Sequence, residues 1–212
     1  MMRNNQSGFT LIELLVVIGM LGIIAGFAVS SLPDIFRSWR LKDAANQILE
    51  DVRDAQTEAM RLGDYASVDN AGTRQFRQQA VFLKLDVANN SYEAWQWIDD
   101  NNNGYPEASG TDRLTQIYSR NLPEGSSFSS GPALKSACSS SSDLDPASPD
   151  KVSFNSKGYP PCDGNNCIMF DARGVINDKG NIYLSDGKNS WALNSLEPGI
   201  FRLCRWNGSA WN

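Results

Sequence analysis

The sequence predicts an α+β fold in which one long N-terminal helix, membrane-spanning in its first half, packs on a C-terminal antiparallel β-sheet. Three observations support this prediction. An apolar run occupies Phe9–Val29, apolar residues at helical spacing continue to Leu62, and strand-like segments separated by turns follow Gly63. The predicted boundaries are a polar leader at 1–8, a transmembrane helix at 9–30, its helical continuation at 31–62 and a β domain at 63–212.

The composition limits the function of the chain. Its 212 residues are 41% hydrophobic, which is enough to bury a core. The net charge of −5 argues against general polyanion binding. The absence of histidine excludes histidine triads, histidine general bases and histidine metal sites, and no paired carboxylates single out another catalytic centre. The sequence therefore predicts a protein that is not an enzyme.

The N-terminal apolar run has the length of a membrane-spanning helix. Its 21 residues, Phe9–Val29, carry one charge, at Glu13, and about 20 apolar residues are needed to cross the hydrocarbon layer. A cleaved secretory signal peptide is the alternative, because the basic residue Arg3 precedes the run. Signal peptides have a shorter apolar region and a small-residue cleavage site, so the pattern favours a membrane helix.

The helix is expected to continue as a packing helix. Its apolar positions recur at spacings of three and four and define one face, formed by Leu41, Ala45, Ile48, Val52, Ala55, Ala59 and Leu62. Pro33 predicts a kink or break, and Gly63 is a typical C-terminal stop. A coiled-coil seam is the alternative, but the small alanines and the short repeat favour packing on the protein's own sheet.

The remainder of the chain is expected to form strands and turns. Residues 80–87 and 92–98 flank an Ala-Asn-Asn-Ser turn and predict a β-hairpin. Further strands are predicted at 114–122, 151–154, 167–170, 181–184 and 200–206. Residues 125–149 are dominated by Ser, Gly, Pro and Asp, which predicts an exposed loop rather than a linker to another domain.

The start of the apolar run resembles a known processing signal. Residues 8–13, Gly-Phe-Thr-Leu-Ile-Glu behind a short basic leader, look like the class III signal of type IV pilins and type II secretion pseudopilins. The resemblance implies that a prepilin peptidase cuts between Gly8 and Phe9 and that the new N-terminal Phe9 is N-methylated. It also implies that Glu13 pairs with the N-terminal amine of a neighbouring subunit during assembly.

The position of Glu13 has a physical meaning that does not depend on the resemblance. A carboxylate within hydrocarbon is costly, so this side chain is expected to have a partner and a function. The alternative is that Glu13 lies near the interface and extends its carboxylate towards water.

Three C-terminal segments extend the resemblance to the H-type minor pseudopilins, the GspH/FimT family. They are residues 99–107, 168–174 and the hairpin into 180–184. The family implies a non-enzymatic subunit of a type II secretion pseudopilus or a type IV pilus. Its implied partners are prepilin peptidase, other pseudopilins or pilins in a filament, and an inner-membrane assembly platform. The alternative is a DNA-binding minor pilin at a pilus tip that is used in DNA uptake.

The resemblance also implies a location. The chain would cross the inner membrane once, with its C-terminal domain in the periplasm, and would be filament-associated after assembly. Arg3 in the leader agrees with this orientation, because basic residues remain on the cytoplasmic side.

Four cysteines follow the apolar run and would lie in the oxidising periplasm, which favours disulfides. Of the three pairings that four cysteines allow, we favour Cys162 with Cys167 across a short turn, and Cys138 with Cys204. A zinc site is the alternative, but the spacings lack paired C-x-x-C motifs.

An Asp- and Asn-rich segment matches the first six positions of an EF-hand loop. The candidate calcium ligands are Asp99, Asn101, Asn103 and Glu107. Gly110 occupies the twelfth position, where the motif requires a bidentate Glu, and Asp112 is the nearest substitute. An ion-free turn between two strands is the favoured alternative, so the sequence predicts no cofactor beyond this candidate structural calcium.

In the C-terminal stretch, Arg202 and Arg205 lie near Trp206 and Trp211, whose rings are expected to be exposed. Arginines and exposed aromatic rings together can hold a nucleic-acid backbone and stack on bases. The stretch resembles the Gly-Arg-x-Arg tail of DNA-binding minor pilins, except that Ile200 replaces the first arginine. An amphipathic strand with both arginines in solvent is favoured, because the whole chain is acidic.

Overall fold

The computed structural model describes residues 10–63, 65–68, 74–77, 79–100, 112–138, 152, 154, 166–176, 179–196 and 199–212. The chain divides into two compact units, Met1–Arg37 and Ser38–Asn212. The predicted α+β class is confirmed, because one helix precedes a series of antiparallel strands.

The helix α1 spans Leu11–Leu62. Pro33 was expected to cause a kink or a break. The helix continues through this residue, so the break is absent. It ends as predicted before Gly63, whose φ of +57° suits glycine and whose amide donates to the carbonyl of Ala59 at 3.2 Å. Within the described residues, no helix combines the length and the apolar character that crossing a membrane requires.

The described strands are β1 (Tyr65–Val68), β2 (Arg74–Arg77), β3 (Gln79–Asp86), β4 (Ser91–Ile98), β5 (Arg113–Asn121), β6 (Ser127–Phe128), β7 (Cys167–Phe170), β8 (Asn181–Ser185), β9 (Ser190–Leu196) and β10 (Ile200–Arg205). They form two four-stranded antiparallel sheets, where the sequence predicted one. Sheet I has the order β5-β4-β3-β7, and sheet II has the order β10-β9-β8-β6. Strands β1 and β2 form a separate pair.

Six of the ten described strands were predicted from the sequence, and four were not. Strands β3, β4, β5, β7, β8 and β10 lie within one or two residues of their predicted bounds. Strands β1, β2, β6 and β9 were missed, and β6 lies in the segment that was predicted to be a loop. In the predicted strand at 151–154, the described part shows one isolated bridge, between Val152 and Ile182.

The main apolar core lies between α1 and both sheets. The predicted helix face is correct, since its members from Leu41 to Ala59 are at most 3% exposed. This face packs against Val81, Leu83 and Phe170 of sheet I and against Ile182, Leu193 and Phe201 of sheet II. The burial of large apolar groups from three layers is the main stabilising contribution to this unit.

A second apolar cluster covers the opposite face of sheet II and corrects the expectation of an exposed loop. Ala133 and Ala137, from the segment predicted to be exposed, pack there against Tyr183. The amide of Ala137 donates to the Tyr183 hydroxyl at 2.9 Å. Small residues in this segment allow it to lie close to the sheet, and composition alone could not show that it was covered.

Candidate functional site

The processing site lies at the edge of the described chain. Gly8 and Phe9 are outside the described residues, so the predicted cleavage and methylation positions stay predictions. The first described residues form a capping box, in which Thr10 and Glu13 bond each other at the helix start. Glu13 Oε2 accepts from the Thr10 amide at 2.8 Å and from the Thr10 hydroxyl at 3.0 Å.

This capping box fixes the Glu13 carboxylate at the first turn of α1. Both described bonds use Oε2, and among the described residues Oε1 has no partner. One oxygen therefore satisfies the helix end, while the other can accept a bond from a group outside this chain. The sequence identified Glu13, but the role of Thr10 follows from the local geometry.

The structure shows disulfide bonding at three of the four cysteines. Cys138 and Cys204 form a disulfide with a Cα–Cα distance of 5.5 Å, which confirms that pairing. Cys167 is also disulfide-bonded. Its predicted partner, Cys162, lies outside the described residues, so the second pairing stays a prediction.

The candidate calcium segment is described only at its ends. Asp99 is fully buried, whereas Asn101, Asn103 and Glu107 lie outside the described residues. Asp112 accepts hydrogen bonds from the Trp97 indole at 3.0 Å and from the Asp100 amide at 3.3 Å. Where the chain is described, no three potential metal-ligating side chains come together. The calcium site stays a prediction.

The C-terminal strand exposes Arg202 and Arg205, as the favoured amphipathic-strand interpretation expected, and the candidate DNA-binding combination of arginines with exposed rings is absent from it. Trp206 and Trp211 are 7% and 8% exposed, so the expectation that these rings are accessible is wrong. They pack edge to face at 5.5 Å between ring centroids, and the Trp211 indole donates to the carbonyl of Lys135. Arg202 and Arg205 are exposed but three positions apart on β10, which places them on opposite faces of sheet II.

A buried polar cluster, which sequence reasoning missed, joins α1 to sheet I. Asp51 is 1% exposed and has three side-chain partners. Its Oδ1 accepts from Gln47 at 3.2 Å, and its Oδ2 accepts from the Tyr92 hydroxyl at 2.6 Å. Arg120 Nε lies 3.0 Å from the same Oδ2. These contacts compensate the large cost of burying a charge.

The two tyrosines of this cluster are held in their neutral form. Burial raises the pKa of Tyr92, and the hydrogen bond to the Asp51 carboxylate raises it further. Burial also raises the pKa of Tyr118, with the Asp51 charge as the next cause. Both hydroxyls are therefore donors at neutral pH, and the Tyr118 hydroxyl donates to the Asp51 carbonyl at 3.2 Å.

A β-bulge in β5 directs these side chains to the helix. Ala94 pairs with Tyr118, whereas the next residue of β4, Trp95, pairs with Gln116, so Ile117 has no partner. The extra residue reverses the alternation of β5. Tyr118 and Arg120 therefore face α1, whereas Leu114 faces the outer side of sheet I.

Three members of the cluster, Gln47, Tyr92 and Arg120, line a cleft of about 400 Å³. Asp43, Ala44 and Gln47 of α1 line one side, and the lining residues of the sheet side are Tyr92, Arg120, Asn121, Leu122 and Pro123. Asp51 did carry a sequence signal. It lies three residues after Ile48 and four before Ala55, within the apolar face, where an acid requires buried partners.

Comparison with known proteins identifies the N-terminal segment. Residues 3–29 match the family model described as the prokaryotic N-terminal methylation motif. The prediction of a prepilin-type N-terminus is confirmed by this match. The matched segment contains the Gly8–Phe9 bond and Glu13.

Comparisons with curated proteins and with solved structures do not extend this identification beyond the N-terminal segment. A search of curated proteins finds no significant match. Among solved structures, the minor pseudopilin EpsH from the Type 2 Secretion System of Vibrio cholerae superposes with a TM-score of 0.41 at 14% identity, covering 77% of this chain and 94% of that chain. A superposition at this level does not carry a functional conclusion.

Proposed function

We propose that this chain is a pilin-like minor subunit of an inner-membrane filament machine, either a type II secretion pseudopilus or a type IV pilus. Prepilin peptidase removes residues 1–8, Phe9 becomes the methylated N-terminus, and Glu13 guides insertion among other pilins or pseudopilins. The observation that carries the proposal is the match of residues 3–29 to the N-terminal methylation motif.

The surface of the first helical segment supports membrane anchoring. The large apolar side chains described from Leu11 to Ile24 are between 49% and 80% exposed. An apolar surface of this kind is unfavourable in water and favourable in lipid. We infer that this segment anchors the precursor in the inner membrane and that the Ser38–Asn212 unit lies in the periplasm, where the Cys138–Cys204 disulfide is stable.

The capping geometry supports a role for Glu13 in assembly. Its Oε2 is occupied by Thr10, whereas Oε1 is available among the described residues. The free amine created at Phe9 of a neighbouring subunit is a donor that matches this oxygen in charge. In a hydrocarbon environment such a pair is strongly favoured over an unpaired carboxylate.

Two substitutions separate processing from assembly. Gly8→Glu should block cleavage, and mass spectrometry should find the full-length chain in the inner membrane. Glu13→Ala should be cleaved normally but should be depleted from sheared filaments. Glu13→Gln is the matched control for side-chain shape, and it should also be depleted, because the charge rather than the shape is required.

Two outcomes would contradict the proposal. Full cleavage of Gly8→Glu would place the processing site elsewhere. Normal filament incorporation of Glu13→Ala would remove its assembly role.

The DNA-uptake alternative is tested by measuring how the full chain binds duplex DNA over a salt series. We expect the double variant Arg202→Ala with Arg205→Ala to leave this binding unchanged, because the two side chains lie on opposite faces of sheet II.

A further inference from the structure

We infer that the Arg120 cleft, together with the outer edge of β5, is a binding site for an extended, carboxylate-bearing segment of another protein. The inference depends on the folded Ser38–Asn212 unit and not on filament assembly. Three observations carry it, namely the spare donors of Arg120, the fixed position of its guanidinium, and the continuity of the cleft with a sheet edge.

Arg120 has more donors than its neighbours can use. A guanidinium has five N–H donors, and a carboxylate has about four acceptor positions. Gln47 and Tyr92 already occupy two of the positions on Asp51, so at most about two remain for Arg120. Among the described residues, only Asp51 bonds to this guanidinium, and the side chain is 46% exposed. About three N–H groups are therefore open to a ligand.

The guanidinium is held in position before any ligand arrives. Its Nε is fixed on a buried carboxylate at 3.0 Å, and its Cζ lies 5.1 Å from the centroid of the Tyr118 ring. A fixed, planar donor group loses little entropy on binding and fits a carboxylate through two parallel bonds. This chemistry favours an Asp or Glu side chain, or a C-terminal carboxylate, bound on the sheet side of the cleft next to Arg120, because Asp43 lines the helix side and repels a carboxylate there.

The cleft continues into an unpaired strand edge. β5 is one of the two edge strands of sheet I, and from Leu114 to Asn121 its outer edge pairs with no described residue. Seven of its nine residues are exposed. An extended segment can add to such an edge through backbone hydrogen bonds. At Asn121 the strand enters the cleft, where the amides of Gln47 and Asn121 can bond further peptide groups.

The experiment uses the full-length protein in detergent and two labelled nonapeptides of threonine and valine. The peptides differ only in the central residue, which is glutamate in one and glutamine in the other. Fluorescence anisotropy should show that the glutamate peptide binds at least about ten-fold more tightly, because only it receives two charge-assisted bonds. Hydrogen exchange with that peptide bound should slow in β5 and not in β10.

The variants are chosen to keep the fold intact. Arg120→Gln alone would leave Asp51 buried without its cation, so the informative variant combines Asp51→Asn with Arg120→Gln. This variant should bind the two peptides equally. Arg202→Gln is the matched control, since it removes an exposed arginine from sheet II, and it should keep the ten-fold preference.

Three results would overturn the inference. The first is equal or absent binding of the two peptides by the wild-type protein at concentrations up to about 1 mM, a level that corresponds to negligible affinity. The second is protection from exchange outside β5 and the cleft. The third is a folded double variant that keeps the preference. If the double variant does not fold, the first two measurements on the wild type and on Arg202→Gln decide the question.

Discussion

Removing the Cys138–Cys204 disulfide should strongly destabilise the Ser38–Asn212 unit. The bond closes a loop with a sequence separation of 66 residues. Because a longer loop loses more entropy in the unfolded chain, a loop of this length corresponds to about 4 kcal/mol in the chain-entropy model. For a unit of this size, about 4 kcal/mol lowers the melting temperature by roughly 8–16 °C.

The perturbation is the double variant Cys138→Ala with Cys204→Ala, measured by near-UV circular dichroism during heating of the full chain in detergent. Wild-type protein in reductant is the matched comparison, because it keeps both side chains and loses only the bonds. Adding reductant to the variant then isolates the contribution of the remaining cysteines. If the melting temperature stays within about 3 °C of wild type, the loss in the free energy of unfolding is under about 1 kcal/mol, and this result would refute the reasoning.

Three further predictions concern the buried cluster and the Asp-rich segment. Asp51→Ala should lower the free energy of unfolding by about 2–3 kcal/mol in urea titrations, because the Tyr92 hydroxyl loses its acceptor and Arg120 loses its counter-charge. A loss below about 0.5 kcal/mol would show that water replaces both contacts. Burial raises the pKa of Tyr92 in the folded chain, so the unfolded chain releases this proton first. Stability is therefore fully present below the unfolded-state pKa of about 10 and falls as the pH rises above it, and Tyr92→Phe should decline less steeply in the same pH series. If residues 99–107 hold calcium, chelation with EDTA should lower the melting temperature, and an unchanged value would remove that site.

The N-terminal third could be read from the sequence because its information is local. The processing motif is a linear pattern, and a helix places residues three and four apart on one face whatever surrounds it. The buried face from Leu41 to Ala59 and the stop at Gly63 follow from that rule. A strand with alternating burial, such as β4, was found for the same reason.

The candidate cleft could not be found in this way, because its residues come from distant parts of the chain. Asp51 and Tyr92 are 41 residues apart, and their contact depends on how the helix lies on the sheet. The direction of Arg120 depends on the bulge at Ile117, which reverses the alternation that a sequence pattern assumes. The cluster therefore depends on packing and register.

The sequence by itself determined the prepilin-type N-terminus, the α+β class and the buried helix face, since each follows from a local pattern, whereas the Cys138–Cys204 pairing was one of three possibilities until the structure placed the two cysteines together. Tertiary structure decided the division into two sheets, the burial of Trp206 and Trp211, and the position of Arg120. Burial depends on which surfaces meet across the core, and a single chain pattern does not contain that information.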